Sequence, residues 1–341
     1  MGATFEVVFA PYNQPLQTLL DPASVFASNT HGLNVLLVRA QDLGGTLDEL
    51  AGVLRGAAGR FSVPVLVCLC PEAGGTALAD GLAGVQVLAA EEVERLYPAP
   101  APYDPEAERL GRIPYSELYF CALGTAVVRR AHALFTPPYK AIALDCDNTL
   151  WQGICGEDGP SGVSPVAPLQ EFMLGQRAAG MLLALNSKNN EPDVVETFAA
   201  NPGMPLGLEH FAARRLNWES KADNLASLAA ELGLGVDSFI LVDDNPKECA
   251  EVAESLPEAL AVALPADVER IPAFLGHVWA FDHPVVTEED RNRNVYYAQA
   301  RDFGREVRAA TNLREFVAGL GLRVAVAPLG EDRLSRAAQL T

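Results

Sequence analysis

The 341-residue chain predicts an α/β protein built on doubly wound, mainly parallel sheets, and three observations predict it. Short apolar runs rich in β-branched residues alternate with stretches of helical periodicity. Gly and Pro punctuate the joints between them. Several of the apolar runs end in polar or acidic clusters, the place where open parallel sheets bind their ligands.

Along residues 1–137 the segments 5–10, 34–39, 63–70 and 85–89 read as strands, because they are short, β-branched and bounded by Gly or Pro. Residues 46–58 and 90–97 carry helical periodicity, and Thr46 with Glu49 three positions on fits a capping box. The Pro-rich stretch 98–102 reads as a polyproline hinge and 116–134 as a long amphipathic helix. Thr136-Pro137-Pro138 then closes this first α/β domain. A second domain is expected over residues 138–283, with strands at 141–144, 182–185 and 239–242 and helices at 170–179, 193–199 and 222–232. Residues 284–341 form an Arg-rich C-terminal segment.

Composition bounds the function classes. The chain is 49% hydrophobic and 20% charged, as globular proteins are. No apolar run approaches the roughly 18 residues of a membrane span, and the N-terminus lacks the basic and apolar regions of a signal peptide, so a cytoplasmic protein without a membrane partner is expected. Six cysteines (68, 70, 121, 146, 155, 249) follow no disulfide spacing and read as reduced thiols. A formal charge of −19 argues against nucleic acid as a partner. Residues 139–283 hold 22 acidic against 8 basic side chains, so the acidity gathers in the second domain.

The sequence DCDNTLWQGICGED, residues 145–158, is the most informative stretch. It puts Asp145 and Asp147 two residues apart beyond a strand, followed by Thr149. Phosphoryl transfer needs an in-line nucleophile, a proton donor for the leaving group and positive charge on the phosphoryl oxygens. Asp145 can be the first, and Asp147, past the strand end, the acid/base. Ser187, with Lys188 and Asn189, follows the second strand, and Lys221 opens a later helix; these are candidate phosphate binders, with Thr149 and Trp151 beside them. Asp243 and Asp244 close the third strand. Asp145 with Asp244 offers two carboxylates, plus backbone carbonyls and waters, the hard oxygens that Mg2+ prefers. Alone, each piece has a bland reading as an Asp-rich turn or a helix cap. Their order, each at a strand end or helix start, favours one site.

Taken together the motifs resemble the haloacid-dehalogenase superfamily. That resemblance implies Asp145 as nucleophile, Asp147 as acid/base, Ser187 and Lys221 as phosphate ligands, and Asp145, Asp147, Asp243 and Asp244 around Mg2+. Only 42 residues separate Asp145 from Ser187 and 34 separate Ser187 from Lys221, too few for a separate cap domain. An open site is expected, suited to a macromolecule or a tethered substrate.

Cys146, between the two Asp residues, should turn away from them by strand alternation. Cys155 lies in a Gly-flanked loop able to fold over the site. A thiolate there is a strong nucleophile, but the surrounding carboxylates raise its pKa unless Mg2+, Lys188 or Lys221 compensates, so the residues leave both a nucleophile and a bystander open.

Beyond the superfamily, DCDNTLWQGICGEDG, NSKNNE (186–191), WESKADNL (218–225) and DSFILVDDNPKECAEV (237–252) resemble the FkbH-like family, as do GRIPYSELYFCALGTAVVRRAHAL upstream and WAFD with TEEDRNRNVYYAQ downstream. The resemblance spans essentially the whole chain. It implies that Cys155 takes the glyceryl unit of 1,3-bisphosphoglycerate as a thioester and that the Asp145 site removes the 3-phosphate. The phosphopantetheine thiol of an acyl carrier protein then accepts the unit for polyketide biosynthesis. It further implies an SGNH-like first domain, here without a Gly-Asp-Ser nucleophile, and a C-terminal segment that begins an acetyltransferase-like region. The competing readings are a plain Mg2+-dependent phosphatase, delivery of a related unit such as lactyl, and a catalytically dead scaffold that docks a carrier. For an acidic carrier, Arg214-Arg215 and the arginines of residues 291–314 are the candidate docking cations.

Overall fold

The computed structural model describes residues 6–71, 78 and 82–309. It contains two parallel sheets and one small antiparallel ribbon. The first sheet runs β1 (Asn34–Val38), β2 (Val65–Leu69), β3 (Val85–Leu88) in spatial as in chain order. Every residue of β2 is buried, as a central parallel strand covered on both faces requires. Helix Leu47–Ala57 covers one face; the expected capping box is present, with Thr46 accepting from the Glu49 amide and Glu49 accepting from the Thr46 amide. The long helix Glu117–Phe135, capped by Ser116, lies with Leu66, Cys68 and Leu88 on the other.

One expected strand is not there. Residues 6–10 have no regular structure, and Val7, Val8 and Phe9 stand exposed. A strand exists only through its neighbour's hydrogen bonds, and no strand of the described residues pairs with this segment, whatever its β-branched composition favours.

The second sheet positions the candidate site. In strand order it is β10 (Leu260–Ala263), β9 (Phe239–Asp243), β4 (Ala141–Leu144), β7 (Leu182–Ser187), β8 (Phe211–Leu216), all parallel. The central strand β4 pairs Ala141 with Leu182 on one side and with Phe239 on the other, so the three predicted strands are adjacent and nearly level. Side chains alternate between two cores. Ile142, Leu144 and Cys146 pack with Trp151, Leu169 and Met173 on one face, whereas Ala141 and Ala143 meet Leu225, Leu228 and Phe239 on the other. Helices Ala167–Ala178, Glu191–Ala200, Lys221–Leu232 and Pro246–Ser255 follow the strands as crossovers, matching the predicted helices and adding a fourth. Between β4 and β7 lies only a flap, the ribbon of β5 (Trp151–Gln152) and β6 (Ser164–Pro165) carrying the short helix Cys155–Asp158, plus one helix. No cap domain intervenes.

The two sheets are tied by a bidentate ion pair in which Arg129 of the long helix donates to Asp282 at 2.6 and 2.7 Å, and by edge contact of His132 with Trp279. Helix Glu288–Ala309 packs beneath through Asn294, which donates to the Arg177 and Met181 carbonyls, and Tyr297, which donates to Leu232. The chain beyond residue 309, including Arg314, lies outside the described residues, as do the side chains of Arg301, Arg305 and Arg308. Among the described residues no helix is long and apolar enough to cross a membrane.

Candidate active site

Asp145 follows β4 directly, Ser187 ends β7, and Asp243 ends β9, so three neighbouring strands deliver three polar side chains to one edge. Lys221 arrives from the first turn of its helix, which Ser220 caps by accepting from the Asp223 amide. The four meet. Asp145 Oδ1 accepts from Ser187 Oγ at 2.8 Å and from Lys221 Nζ at 2.6 Å, and Lys221 also donates to Asp243. Ser187 in turn accepts from the Cys146 amide and from Asn189 Nδ2. All of these side chains are buried. Asp145 Oδ2 accepts no hydrogen bond from any described residue and is the oxygen left for chemistry.

Burial raises the Asp145 carboxyl to about 6, with Asp243 adding to the rise and Lys221 and Ser187 opposing it. For Lys221, burial works against the charge, and the two carboxylates outweigh it, so its pKa is raised. Lys221 is therefore a fixed cation that keeps two buried acids compatible.

Carboxylate oxygens of Asp145, Asp243 and Asp244 come within 4.8 Å of one another, a set able to hold a cation. Within it Asp243 is already spent, one oxygen on Lys221 and the other on the Asn245 amide. Asp145 and Asp244 keep free oxygens, and hard, closely spaced oxygens are what Mg2+ takes. Thr149 fastens this corner: its hydroxyl accepts from the Asp244 amide at 3.1 Å and lies 3.5 Å from Asp244 Oδ1.

Asp147 faces the flap. Its Oδ1 accepts from Trp151 Nε1 at 2.8 Å and from the Cys155 amide at 3.0 Å. The turn that aims it needs Asn148 at φ +55°, a conformation Asn tolerates, with Asn148 Oδ1 accepting from Gly153. Gly153 is at φ +100°, and a Cβ there would meet Asp158 Oδ2 at 2.8 Å. The Asp147 carboxylate is not part of the cation set of Asp145, Asp243 and Asp244.

Several expectations are corrected by this geometry. Trp151, expected on the substrate side, is fully buried against Phe198 and reaches the site only through Asp147. Thr149 is likewise buried and holds Asp244. Lys188 pairs with Glu248 at 2.8 Å and bonds none of Asp145, Asp147, Asp243 and Asp244. Asn189 supports Ser187. Cys155 does not lie in an open loop: it begins the flap helix, is 2% exposed and packs in the core. Burial, with Asp147 beside it, pushes its thiol up to about 12. Cys146 points away from the carboxylates into the core, as alternation predicts. Arg214 and Arg215 are each paired, with Glu191 and Glu231, and are not free cations.

The sequence reading passed over the residues that brace the site. Asn217 and Asn224 exchange side-chain amide hydrogen bonds at 2.9 and 3.1 Å and lock the loop before Lys221. Gln170, buried, donates to the Leu150 carbonyl and accepts from the Leu206 amide, fixing the flap's base. For Gln170 and Asn224 the only signal is an amide side chain amid apolar helical positions; Asn217, in the loop, carries none.

No protein-family model and no curated protein matches the sequence. Solved structures do. The N-terminal part of BF1531 from Bacteroides fragilis, containing a phosphatase domain complexed with Mg, aligns over 82% of this chain and 87% of its own, with 23% identity and a TM-score of 0.67. A haloacid-dehalogenase family enzyme of Bacteroides thetaiotaomicron, complexed with magnesium and inorganic phosphate, aligns over 38% of this chain and 95% of its own (13% identity, TM-score 0.30). The 3-deoxy-D-manno-octulosonate 8-phosphate phosphatase of Moraxella catarrhalis covers 51% and 98% (12% identity, TM-score 0.33). The fold is thus the α/β, parallel-sheet architecture expected from the sequence, and it is shared with the N-terminal part of BF1531 over most of both chains.

Proposed function

We propose that this site carries out Mg2+-dependent phosphoryl transfer to water, with Asp145 as nucleophile. The observation that carries the proposal is the convergence of Asp145, Ser187, Lys221 and Asp243 at the carboxyl ends of adjacent strands, with Asp244 offering a second free carboxylate. The Asp145 carboxylate attacks phosphorus and the bond to the leaving oxygen breaks, while Asp147 gives that oxygen its proton. A water then loses a proton to Asp147 and attacks the aspartyl-phosphate, freeing phosphate and Asp145. Ser187 and Lys221 hold the phosphoryl oxygens and the nucleophile in line. Asp145 and Asp244, with the Asp147 carbonyl, would hold Mg2+, which supplies positive charge to the transferring group. Phosphate release from a small phosphoester, lost in EDTA and in Asp145→Asn, tests the reading; release that survives Asp145→Asn overturns it.

A finer reading is favoured by one observation: the Cys155 backbone N–H donates to Asp147 Oδ1 at 3.0 Å, which sets the thiol beside the same group that would serve as acid/base. A thiol held near 12 needs a base beside it, and Asp147 is one. On the FkbH-like resemblance, Asp147 takes the thiol proton and Cys155 sulfur attacks the acyl carbon of 1,3-bisphosphoglycerate. The bond from the acyl carbon to the 1-phosphate oxygen breaks and inorganic phosphate leaves, and a 3-phosphoglyceryl thioester remains whose 3-phosphate is removed at Asp145. The phosphopantetheine thiol of an acyl carrier protein then accepts the glyceryl unit and frees Cys155. Intact mass after incubation with 1,3-bisphosphoglycerate should show an acyl adduct that Cys155→Ala abolishes. Phosphate release without an adduct would leave the phosphatase standing and remove the loading step.

A further inference from the structure

We propose that Trp218 is the contact that receives the body of the substrate outside the phosphoryl site, and that it selects phosphoesters or acyl phosphates carrying an extended, partly apolar or planar portion. This rests on the phosphoryl-transfer reading and adds the substrate class to it. Trp218 is 69% exposed, whereas Trp151, the tryptophan of the flap, is sealed in the core. A single exposed apolar residue is ordinary. This one is held.

Its place is set from two sides. Asn217, the preceding residue, donates its backbone N–H to the Ser187 carbonyl at 3.2 Å, so Trp218 is one residue from a main-chain bond to the serine that touches Asp145. The Asn217–Asn224 amide exchange and the bond from the Glu219 amide to Asn217 Oδ1 stiffen the loop. On the other side, the indole Nε1 donates to Asn190 Oδ1 at 3.1 Å. Asn190 is the residue before helix Glu191–Ala200, where an Asn oxygen ordinarily accepts from the helix's own amides; here it makes no such bond. Its oxygen takes the indole and its Nδ2 donates to Asp193 at 3.0 Å. Asp193 adjoins the flap, 3.7 Å from where a Cβ on Gly156 would lie, and Gly156 follows Cys155. Trp218, Asn190, Asp193 and the flap thus form a continuous rim around an edge that no cap covers. With its N–H tethered, the indole is fixed in orientation and keeps most of its surface open to solvent, a preorganised stacking platform that loses little entropy on binding.

The test compares 4-methylumbelliferyl phosphate, which carries a fused planar body, with acetyl phosphate, which has almost none. Trp218→Ala should raise KM for the aryl ester about fivefold more than for acetyl phosphate, with kcat moving far less, the range expected for one aromatic stack. Trp218→Phe should recover most of the loss. Equal changes for both substrates, or none, would overturn the inference while leaving the phosphatase intact. If the wild type with Mg2+ hydrolyses neither, the phosphatase reading fails. The inference is then decided by calorimetric Kd values in the Asp145→Asn background, where no turnover is needed. A Kd for the aryl ester that rises about fivefold over that for inorganic phosphate on adding Trp218→Ala supports it. An unmoved ratio, or no binding, overturns it.

Discussion

Lys221 Nζ lies 2.6 Å from Asp145 Oδ1 with both side chains all but sealed from solvent, and the same ammonium is shared with buried Asp243. Removing one member of such a group leaves uncompensated buried charge, which costs about 3–5 kcal/mol. Lys221→Met is therefore expected to lower the unfolding free energy, read from urea titration, by that much and to abolish turnover. The double variant Lys221→Met, Asp243→Asn should regain part of the stability and none of the activity. A Lys221→Met protein as stable as the wild type would show that the ammonium is not what holds the two acids together.

Trp151 is a positioning residue, since it reaches the site only through its N–H to Asp147. Trp151→Phe keeps the aromatic packing against Phe198 and deletes that bond. kcat should fall about tenfold with KM little moved, a part of the roughly 100-fold or more that general acid–base catalysis supplies.

These sites were legible in the sequence to different depths. Asp145, Ser187, Lys221 and Asp243 could be placed because strand ends are fixed by short apolar runs, and parallel sheets gather such ends on one edge. What the side chains do with one another depends on rotamers and burial, which no spacing encodes. Trp151 and Cys155, read as exposed to substrate, face the core instead. Strand β8, Phe-Ala-Ala-Arg-Arg-Leu, and strand β10, Leu-Ala-Val-Ala, went unread because their Ala and Arg content favours no strand; pairing with β7 and β9 overrides it. Residues 6–10 show the converse, strand composition without a partner.

The Cys155 thiol, pushed up to about 12, should be nearly inert to iodoacetamide at pH 8, while exposed Cys121 on the same chain reacts freely. A rise of three pKa units leaves roughly 1000-fold less thiolate, and burial slows attack further. Peptide mass mapping over time reads both cysteines in one sample. Alkylation of Cys155 as fast as Cys121 would contradict the sealed flap.

His283 is half-buried, its Nε2 2.7 Å from Gln176 Oε1, and burial holds its pKa below the usual value of 6.5 despite Asp282 and Asp290 nearby; Arg293 adds to the lowering. The folded state thus binds this proton less readily than the unfolded chain. The resulting stability is fully present above the unfolded pKa and is lost as pH falls from about 6.5 through the folded value. Urea midpoints of wild type and His283→Gln, compared at pH 7.5 and pH 5.5, should show a smaller acid loss in the variant. An identical loss would mean that His283 titrates alike in both states.

The central claim is that Asp145 carries the phosphoryl group, and chemical trapping tests it most directly. Quenching the protein during turnover of acetyl phosphate with Mg2+ and reducing with borohydride should convert a phosphorylated Asp145 to homoserine, found by peptide mass at position 145 and nowhere else. Phosphate release at full rate with no homoserine at that position would contradict it.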